Sequence, residues 1–161
     1  MADIRNKYGT SNQAITITLN SLANDGKRES AAVDNSTNLF LDALVQVKIA
    51  TNASNDSTGD KSVYIYACGT ADSGTTYSGN ASGTDSSFGT DPQQIQNCKL
   101  VGVVYAPTAN KTYESDLMSI ANAFGGKLPE KWGIIGHNKT GYALNSSGNS
   151  AFYQGILAQS A

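Results

Sequence analysis

The chain has few residues that could carry out catalysis, and their spacing matches no catalytic motif. Its one histidine is His137, and no Ser or Cys lies in a GxSxG nucleophile elbow. No GxxxxGK[ST] or GxGxxG loop is present to hold a phosphate. Glu114 and Glu130 are the one Glu pair of the second half, but nothing in the sequence places them across a cleft as a glycosidase requires. We therefore expect no catalytic residues and no enzymatic activity.

Metal binding is weakly indicated. One histidine and two cysteines without CxxC spacing do not make a zinc ligand set. Two polar loops carry the oxygen-bearing side chains that calcium prefers: Asn52, Asn55, Asp56 and Asp60 in one, and Asp72, Asp85 and Asp91 in the other. The EF-hand pattern with its terminal Glu is missing from both, and Asp is also typical of turns. We expect no metal and no other cofactor.

Cys68 and Cys98 each lie within an apolar segment. They are either small core residues or, if the two segments are neighbours, a disulfide. The first seven residues lack the apolar stretch of a signal peptide, so we expect folding in the cytoplasm, which favours free thiols. No stretch approaches the roughly 18 apolar residues of a membrane-spanning helix, and no membrane partner is expected.

The composition is polar but little charged. Ser, Thr, Asn and Gly make up 63 of 161 residues, the charged fraction is 15%, and the net charge is −2. Soluble domains average about 25% charged residues. No basic run exceeds Lys27-Arg28, whereas nucleic-acid binding by counterion release needs a basic stripe. We expect no nucleic-acid partner.

The apolar residues alternate with polar ones, which predicts strands with one buried face. The predicted strands are residues 13–19, 30–33, 43–50, 62–68, 99–105, 111–118, 131–138, 142–144 and 151–159. The polar loop between 43–50 and 62–68 predicts an antiparallel pair. A brief helical turn is expected at 119–124, ended by Gly125-Gly126.

These elements predict an all-β protein, an antiparallel β-sandwich of jelly-roll-like form with about eight strands. A closed barrel is the alternative. Residues 1–12 are polar and without periodicity and are expected to form an N-terminal arm, and residues 13–161 a single domain. Residues 69–97 are rich in Gly, Ser and Thr and are expected to be an extended surface loop.

Four aromatic residues are candidates for binding: Tyr64, Tyr66, Tyr77 and Trp132. On a β-sandwich they could form a platform on which sugars stack. They could equally lie in the core or in a protein interface, because tyrosine is favoured where one end is buried and the other wet. The sequence favours an interface over sugar binding.

Two longer stretches, VYIYACGTADSGTTY at 63–77 and ANAFGGKLPEKWGII at 121–135, together with YQG at 153–155, resemble small structural proteins of tailed bacteriophages. Within that group the chain looks most like capsid decoration (cement) proteins. The resemblance covers residues 60–157 best and implies a β-rich fold, no catalytic residues and binding to the outside of the mature head.

The resemblance also implies partners. These are the major capsid protein and further copies of the chain, in a homotrimer, on virions assembled in the host cytoplasm. In the polar arm, Ile4, Arg5, Lys7 and Tyr8 are the expected contacts to the capsid or to a neighbouring subunit. The alternatives are a carbohydrate-binding or fibre-associated domain that contacts the host surface, and a tail or neck component.

Overall fold

A computed structural model describes residues 3–89, 91 and 94–160. It confirms the all-β prediction, since two antiparallel sheets pack face to face as a sandwich. Twelve strands are found in the described residues, against about eight predicted, because strands form at Ile4–Tyr8, Lys27–Glu29 and Ser86–Ser87, where none was predicted, and the predicted segment 111–118 is divided in two. The jelly-roll form stays a prediction.

The first sheet consists of β1 (Ile4–Tyr8), β2 (Gln13–Ala14), β5 (Asp42–Ala50), β9 (Thr112–Glu114), β10 (Met118–Ser119) and β12 (Ser150–Ser160). Its strand order is β1-β12-β5-β10, with β2 also beside β12 and β9 also beside β5.

The second sheet consists of β3 (Lys27–Glu29), β4 (Val33–Asp34), β6 (Ser62–Gly69), β7 (Ser86–Ser87), β8 (Lys99–Tyr105) and β11 (Lys131–Lys139). Its strand order is β7-β3-β11-β6-β8, with β4 also beside β11. A single helical turn, α1 (Ile120–Ala123), confirms the predicted one. Ser119 caps its first turn, and the amide of Gly126 donates to the carbonyl of Ala121 at its end.

The predicted pairing of 43–50 with 62–68 is wrong. Both segments are strands, but β5 lies in the first sheet and β6 in the second. The loop between them is much longer than the roughly two to five residues of a hairpin, so the chain can cross from one sheet to the other. The two strands face each other across the core through Val45, Val47, Val63 and Ile65, all fully buried.

The predicted strand at 13–19 is found only in part: burial alternates as expected, but most of the segment is not a strand. Ile15 and Leu19 are buried and Thr16 is exposed. Only Gln13–Ala14 forms a regular ladder, because the chain then passes between the sheets. The amide of Ile15 donates to Ala151 in the first sheet, and the carbonyl of Thr16 accepts from Ala31 beside the second.

Two other predicted strands differ. The strand at 142–144 is absent, because the Tyr142 carbonyl accepts hydrogen bonds from the side chains of Asn138 and Thr140 instead of from a neighbouring strand. The strand at 30–33 is replaced by β3 and β4 on either side of Ser30, whose hydroxyl accepts from the amide of Ile134. Side-chain hydrogen bonds thus compete with the ladder.

The main core lies between the sheets. Trp132 of β11 is fully buried, and its ring meets Tyr153 of β12 edge to face, with centroids 5.4 Å apart. β11 is buried on its outer side too, because Ile135 belongs to a second cluster with Cys68, Ala81, Phe88, Ile95 and Cys98. We call residues 70–98 the flap. Its described residues supply most of this second cluster and cover part of the outer face of the second sheet.

Candidate interaction surfaces

The expected contact residues of the arm lie on a strand that the sequence did not predict. β1 pairs antiparallel with the end of β12, from Ile4 opposite Ser160 to Tyr8 opposite Ile156. We call this pair, residues 4–8 with 156–160, the terminal ribbon. All of β1 is exposed, with Ile4 at 79% and Tyr8 at 62%, and Ala158–Ser160 of β12 is exposed as well. The end of the ribbon therefore extends beyond the core.

The ribbon has an apolar side and a basic side. Strand alternation places Ile4 and Tyr8 on one side and Arg5 and Lys7 on the other. An ion pair joins Arg5 to Asp3 at 3.7 Å between two well-exposed side chains, and such pairs contribute little. β1 is also the edge of its sheet, so its outer backbone groups can accept a further strand.

A second exposed surface lies on the outer face of β6 and β8. The register sets Tyr64 opposite Val103, and Tyr66 opposite Leu100. Tyr105 lies opposite Ser62 on the same face. We call these residues, Tyr64, Tyr66, Leu100, Val103 and Tyr105, the tyrosine face. Leu100, Val103 and Tyr105 are about half exposed or more, at 53%, 46% and 61%, while the two β6 tyrosines are half-buried.

A bulge in β8 makes the tyrosine face continuous. Ile65 is opposite Gly102 and Tyr66 is opposite Leu100, so Val101 is an extra residue without a partner in β6. Without it, Leu100 and Val103 would point to opposite sides, because they are an odd number of positions apart. The bulge brings both onto the outer face.

β8 is the edge of the second sheet and lies against β10 and α1 of the opposite layer. The terminal ribbon is at the other edge of the sandwich, since β1 and β10 are the two ends of the first sheet. Beside Leu100 a cavity of about 600 Å³ is lined by Leu117 and Met118 among others, and Leu117 is 64% exposed. The apolar surface thus extends around the β8 edge.

His137 adjoins the tyrosine face, opposite Tyr64 on one side and Lys27 on the other. Its Nε2 lies 3.7 Å from Asp25, whose carboxylate also accepts from Lys139 at 2.6 Å. Burial lowers the pKa of His137, and repulsion from Lys27 and Lys139 lowers it further. The imidazole is therefore neutral at pH 7. Its half-buried ring lies with Asp25 and Lys139 at the border of the tyrosine face.

The other two aromatic candidates differ from the β6 tyrosines. Trp132 has no exposed surface, so its prediction as a binding aromatic is wrong and the core alternative holds. It is the second residue of β11, where alternation turns it inward between the sheets. Tyr77 lies in the flap, is half-buried and packs against the second cluster. Tyr77 therefore contributes to holding the flap.

The acids proposed as calcium ligands are engaged by protein donors. The carboxylate of Asp72 accepts from the side chains of Thr70 and Thr76 and from nearby backbone amides, which holds its pKa well below the ordinary value. Asp56 accepts from the amide of Ala109 at 2.7 Å, and Asp60 accepts from the hydroxyl of Tyr64 at 3.4 Å. Within the described residues, no three His, Cys, Asp or Glu side chains are grouped so that they could hold a metal ion.

Two acids, Glu29 of β3 and Asp85 of the flap, hold the flap against β3. Glu29 is only 4% exposed, and its carboxylate accepts from the amide of Ser82 at 2.7 Å and from the hydroxyls of Ser82 and Ser86 at 2.8 Å. Asp85 forms an ion pair with Arg28 at 2.6 Å and accepts from the amide and hydroxyl of Thr18. Burial opposes ionisation of Asp85, but these donors outweigh it and lower its pKa.

Sequence reasoning missed the exposed residues of β8. The run from Leu100 to Tyr105 is nearly all apolar, which is typical of a strand buried on both faces. Its exposure results from the edge position of β8, which depends on pairing that the run itself does not encode. The open edge of β1 was missed for a similar reason, because main-chain pairing needs no side-chain pattern.

No helix in the described ranges is long and apolar enough to span a lipid bilayer. No protein-family model, no curated protein and no solved structure matches the chain.

Proposed function

We propose that the protein is a non-enzymatic structural protein of a tailed-phage virion, which binds the outer surface of the capsid and stabilises the head as a decoration protein. Its partners are the major capsid protein and further copies of itself in a homotrimer. The resemblance of residues 60–157 motivates the proposal, and the terminal ribbon is the single structural observation that carries it.

The ribbon suits attachment to a protein lattice. Its end projects from the core with both faces in solvent, and an isolated two-stranded ribbon is only marginally stable in water. A partner strand added to the β1 edge would satisfy its free backbone groups, and Ile4 and Tyr8 would supply apolar contact area. Arg5 and Lys7 favour an acidic partner surface. Each contact is small, and many copies on one lattice would add up by multivalency.

The tyrosine face supports self-association in the same particle. Leu100 and Val103 are exposed aliphatic side chains, and a second copy of the protein could bury them in an interface. The tyrosine face lies at the opposite edge of the sandwich from the ribbon, so a copy can hold the capsid and a neighbouring copy at once. Contacts between different surfaces of identical chains form a closed ring, such as a trimer, when the rotation from one copy to the next closes.

Co-sedimentation with undecorated capsids tests the attachment. We expect the double variant Ile4→Ser, Tyr8→Ser to lose at least about tenfold in apparent affinity, since each apolar anchor contributes about 1 kcal/mol or more. Leu39→Ser is the matched control, because Leu39 is 71% exposed but lies outside the ribbon. Equal occupancy of capsids by the ribbon variant and wild type would refute the ribbon as the anchor.

Quantitative mass spectrometry of purified virions tests the particle role. A decoration protein is present in hundreds of copies, whereas a tail or neck component is present in far fewer. A low copy number would favour the tail or neck alternative. Heads that lack the protein should also lose their contents at lower temperature than decorated heads. Unchanged thermal release would refute the stabilising role.

A carbohydrate-binding function is the second candidate, and one observation favours it. Tyr64 and the exposed Tyr105 lie on one sheet face beside Asp60 and Lys139, which combines rings for stacking with polar groups for hydroxyls. Glycan-array binding that is lost in Tyr105→Ala but kept in the ribbon variant would support it. Trp132 is buried, so tryptophan fluorescence is a poor reporter and tyrosine NMR signals are the better one.

A further inference from the structure

The two cysteines lie at the neck of the flap. β6 leads into the flap and β8 leads out of it, and the two strands are antiparallel neighbours whose last ladder pair is Ala67 with Lys99. The same register, continued by one residue, sets Cys68 opposite Cys98. Opposite residues of an antiparallel pair have Cβ atoms about 4.5–5.5 Å apart, and a disulfide requires about 3.5–4.5 Å. A small approach of the two strand ends is therefore enough.

Both side chains are on the same side of the sheet. Ile65 and Ala67 face the main core, so alternation turns Cys68 to the outer face, where it belongs to the second cluster together with Cys98. The two side chains are 2% and 6% exposed. The thiol of Cys98 donates to the carbonyl of Ser78 at 3.6 Å. In the reduced protein this hydrogen bond links the last residue of the flap to a residue near its start.

The electrostatics agree with this proximity. Burial, and to a lesser degree the neighbouring Cys98, raises the pKa of Cys68 to about 12. Burial likewise raises the pKa of Cys98 to about 11. Thiols with such values are almost wholly protonated at pH 7, and only thiolates attack disulfides. While the flap is closed, the pair is therefore protected from reaction.

We propose that Cys68 and Cys98 form a latent cross-strand disulfide, which closes the neck of the flap when the protein meets a small-molecule disulfide such as oxidised glutathione. On transient opening of the flap, the Cys98 thiolate attacks one sulfur of oxidised glutathione, forming a mixed disulfide and releasing one glutathione thiolate. The Cys68 thiolate then attacks the Cys98 sulfur and releases the second glutathione. Two protein thiols are oxidised, one glutathione disulfide is reduced, and the two protons end on the glutathione thiols.

The bond would close a loop over residues 69–97. Because crosslinking a loop of this length restricts the unfolded chain, we expect the melting temperature to rise by about 5–10 °C. Flap amides should also become better protected from hydrogen exchange, since opening would no longer separate the strand ends. The proposal concerns the stability of the flap and does not depend on the role in the virion.

The test is incubation of the purified full-length protein with oxidised glutathione, followed by alkylation, intact mass measurement and non-reducing peptide mapping. We expect the wild type to lose two hydrogens, give a peptide pair joined through Cys68 and Cys98, and react faster in mild urea because the flap opens more often. Each of the single variants Cys68→Ala and Cys98→Ala should form at most a mixed disulfide with glutathione, and its melting temperature should not rise.

The double variant Cys68→Ala, Cys98→Ala, melted with and without oxidised glutathione, is the control for effects of the reagent itself. Two thiols that remain alkylatable in the wild type after long incubation, in mild urea as well, would overturn the proposal. A wild type that carries two separate glutathione adducts would also overturn it, because it would show that the two sulfurs do not meet.

Discussion

The terminal ribbon and the flap are alike in sequence and opposite in structure. β1 of the ribbon and the flap are both polar, and in neither of these two segments did alternation predict a strand. The flap nevertheless covers a sheet and contributes buried residues such as Phe88 and Ile95, at 3% and 7% exposure. The ribbon keeps Ile4 and Tyr8 in solvent. Polar composition therefore does not decide whether a segment is anchored. A few apolar and acidic side chains at suitable positions decide whether the segment is anchored.

The anchors of the flap come largely from outside it. Glu29 and Arg28 of β3 bind Ser82, Ser86 and Asp85 of the flap through short hydrogen bonds. In the ribbon, by contrast, β1 is held by main-chain pairing to β12, and Arg5 forms an exposed ion pair with Asp3. We infer that flap residues contribute to folding stability, whereas ribbon residues are available for binding. The following predictions test that contrast in order of expected effect.

Phe88→Ala should have the largest effect. Removing a buried phenylalanine leaves a cavity in the second cluster and should lower the free energy of unfolding by about 3–4 kcal/mol, as measured by urea denaturation. Ile4→Ala is the matched control and should change it by less than about 0.5 kcal/mol, because surface substitutions have small effects. Similar losses in both variants would contradict the contrast between the two regions.

Glu29→Ala should come next. The substitution removes an acceptor and leaves the amide of Ser82 and two hydroxyls without their partner, which should lower the free energy of unfolding by about 2–3 kcal/mol. Hydrogen exchange should rise first in residues 82–86, ahead of the main core. Glu130→Ala removes an exposed carboxylate and serves as the control. Unchanged exchange in the flap would show that Glu29 does not anchor it.

Asp85 should make the flap sensitive to acid. The pKa of Asp85 is lowered in the folded state, so this carboxylate stabilises the fold above its ordinary pKa, and the stabilisation is lost as pH falls toward the folded value. Asp85→Asn should lower the free energy of unfolding by about 1–2 kcal/mol at pH 7 and flatten its fall toward pH 3. Asp116→Asn, at an exposed position, is the control for the pH series. An unchanged acid slope in Asp85→Asn would count against this role.

Removal of residues 1–8 should have the smallest effect on stability. The described part of this segment includes β1, which is exposed and pairs with the end of β12, so the free energy of unfolding should fall by less than about 1 kcal/mol. Capsid binding should nevertheless be lost in the co-sedimentation assay. A strongly destabilised truncation that still binds capsids would reverse the roles that we assign to the ribbon and the flap.

Part of this architecture could be predicted. The segments that became β5, β6, β8, β11 and β12 were recognised to within one or two residues at each end, because alternation of apolar and polar side chains is local. The turn of α1, with its two glycines, was recognised for the same reason. Tyr64 and Tyr66 were identified as candidates for a surface, and the structure leaves both partly exposed on the outer face of β6.

The rest depended on contacts between distant residues. The sequence predicts Trp132 as a possible surface aromatic, although its position in β11 turns it into the core. The apolar run of β8 does not indicate that Leu100 and Val103 lie on an edge strand with a bulge. The polar loop and the flanking alternation predict that 43–50 pairs with 62–68, although the two strands lie in different sheets. Each error concerns a partner that lies far away in sequence.

The sequence by itself determined that the chain is all-β, where its long strands lie, and that its many Ser, Thr, Asn and Gly residues fall largely in the connections. These are properties of side-chain alternation and turn chemistry, which act over a few residues. Only the tertiary structure decided which strands share a sheet, which edges stay open, and that Cys68 stands opposite Cys98. The physical reason is that sheet pairing and burial join residues far apart in the chain, where local preference no longer discriminates between partners.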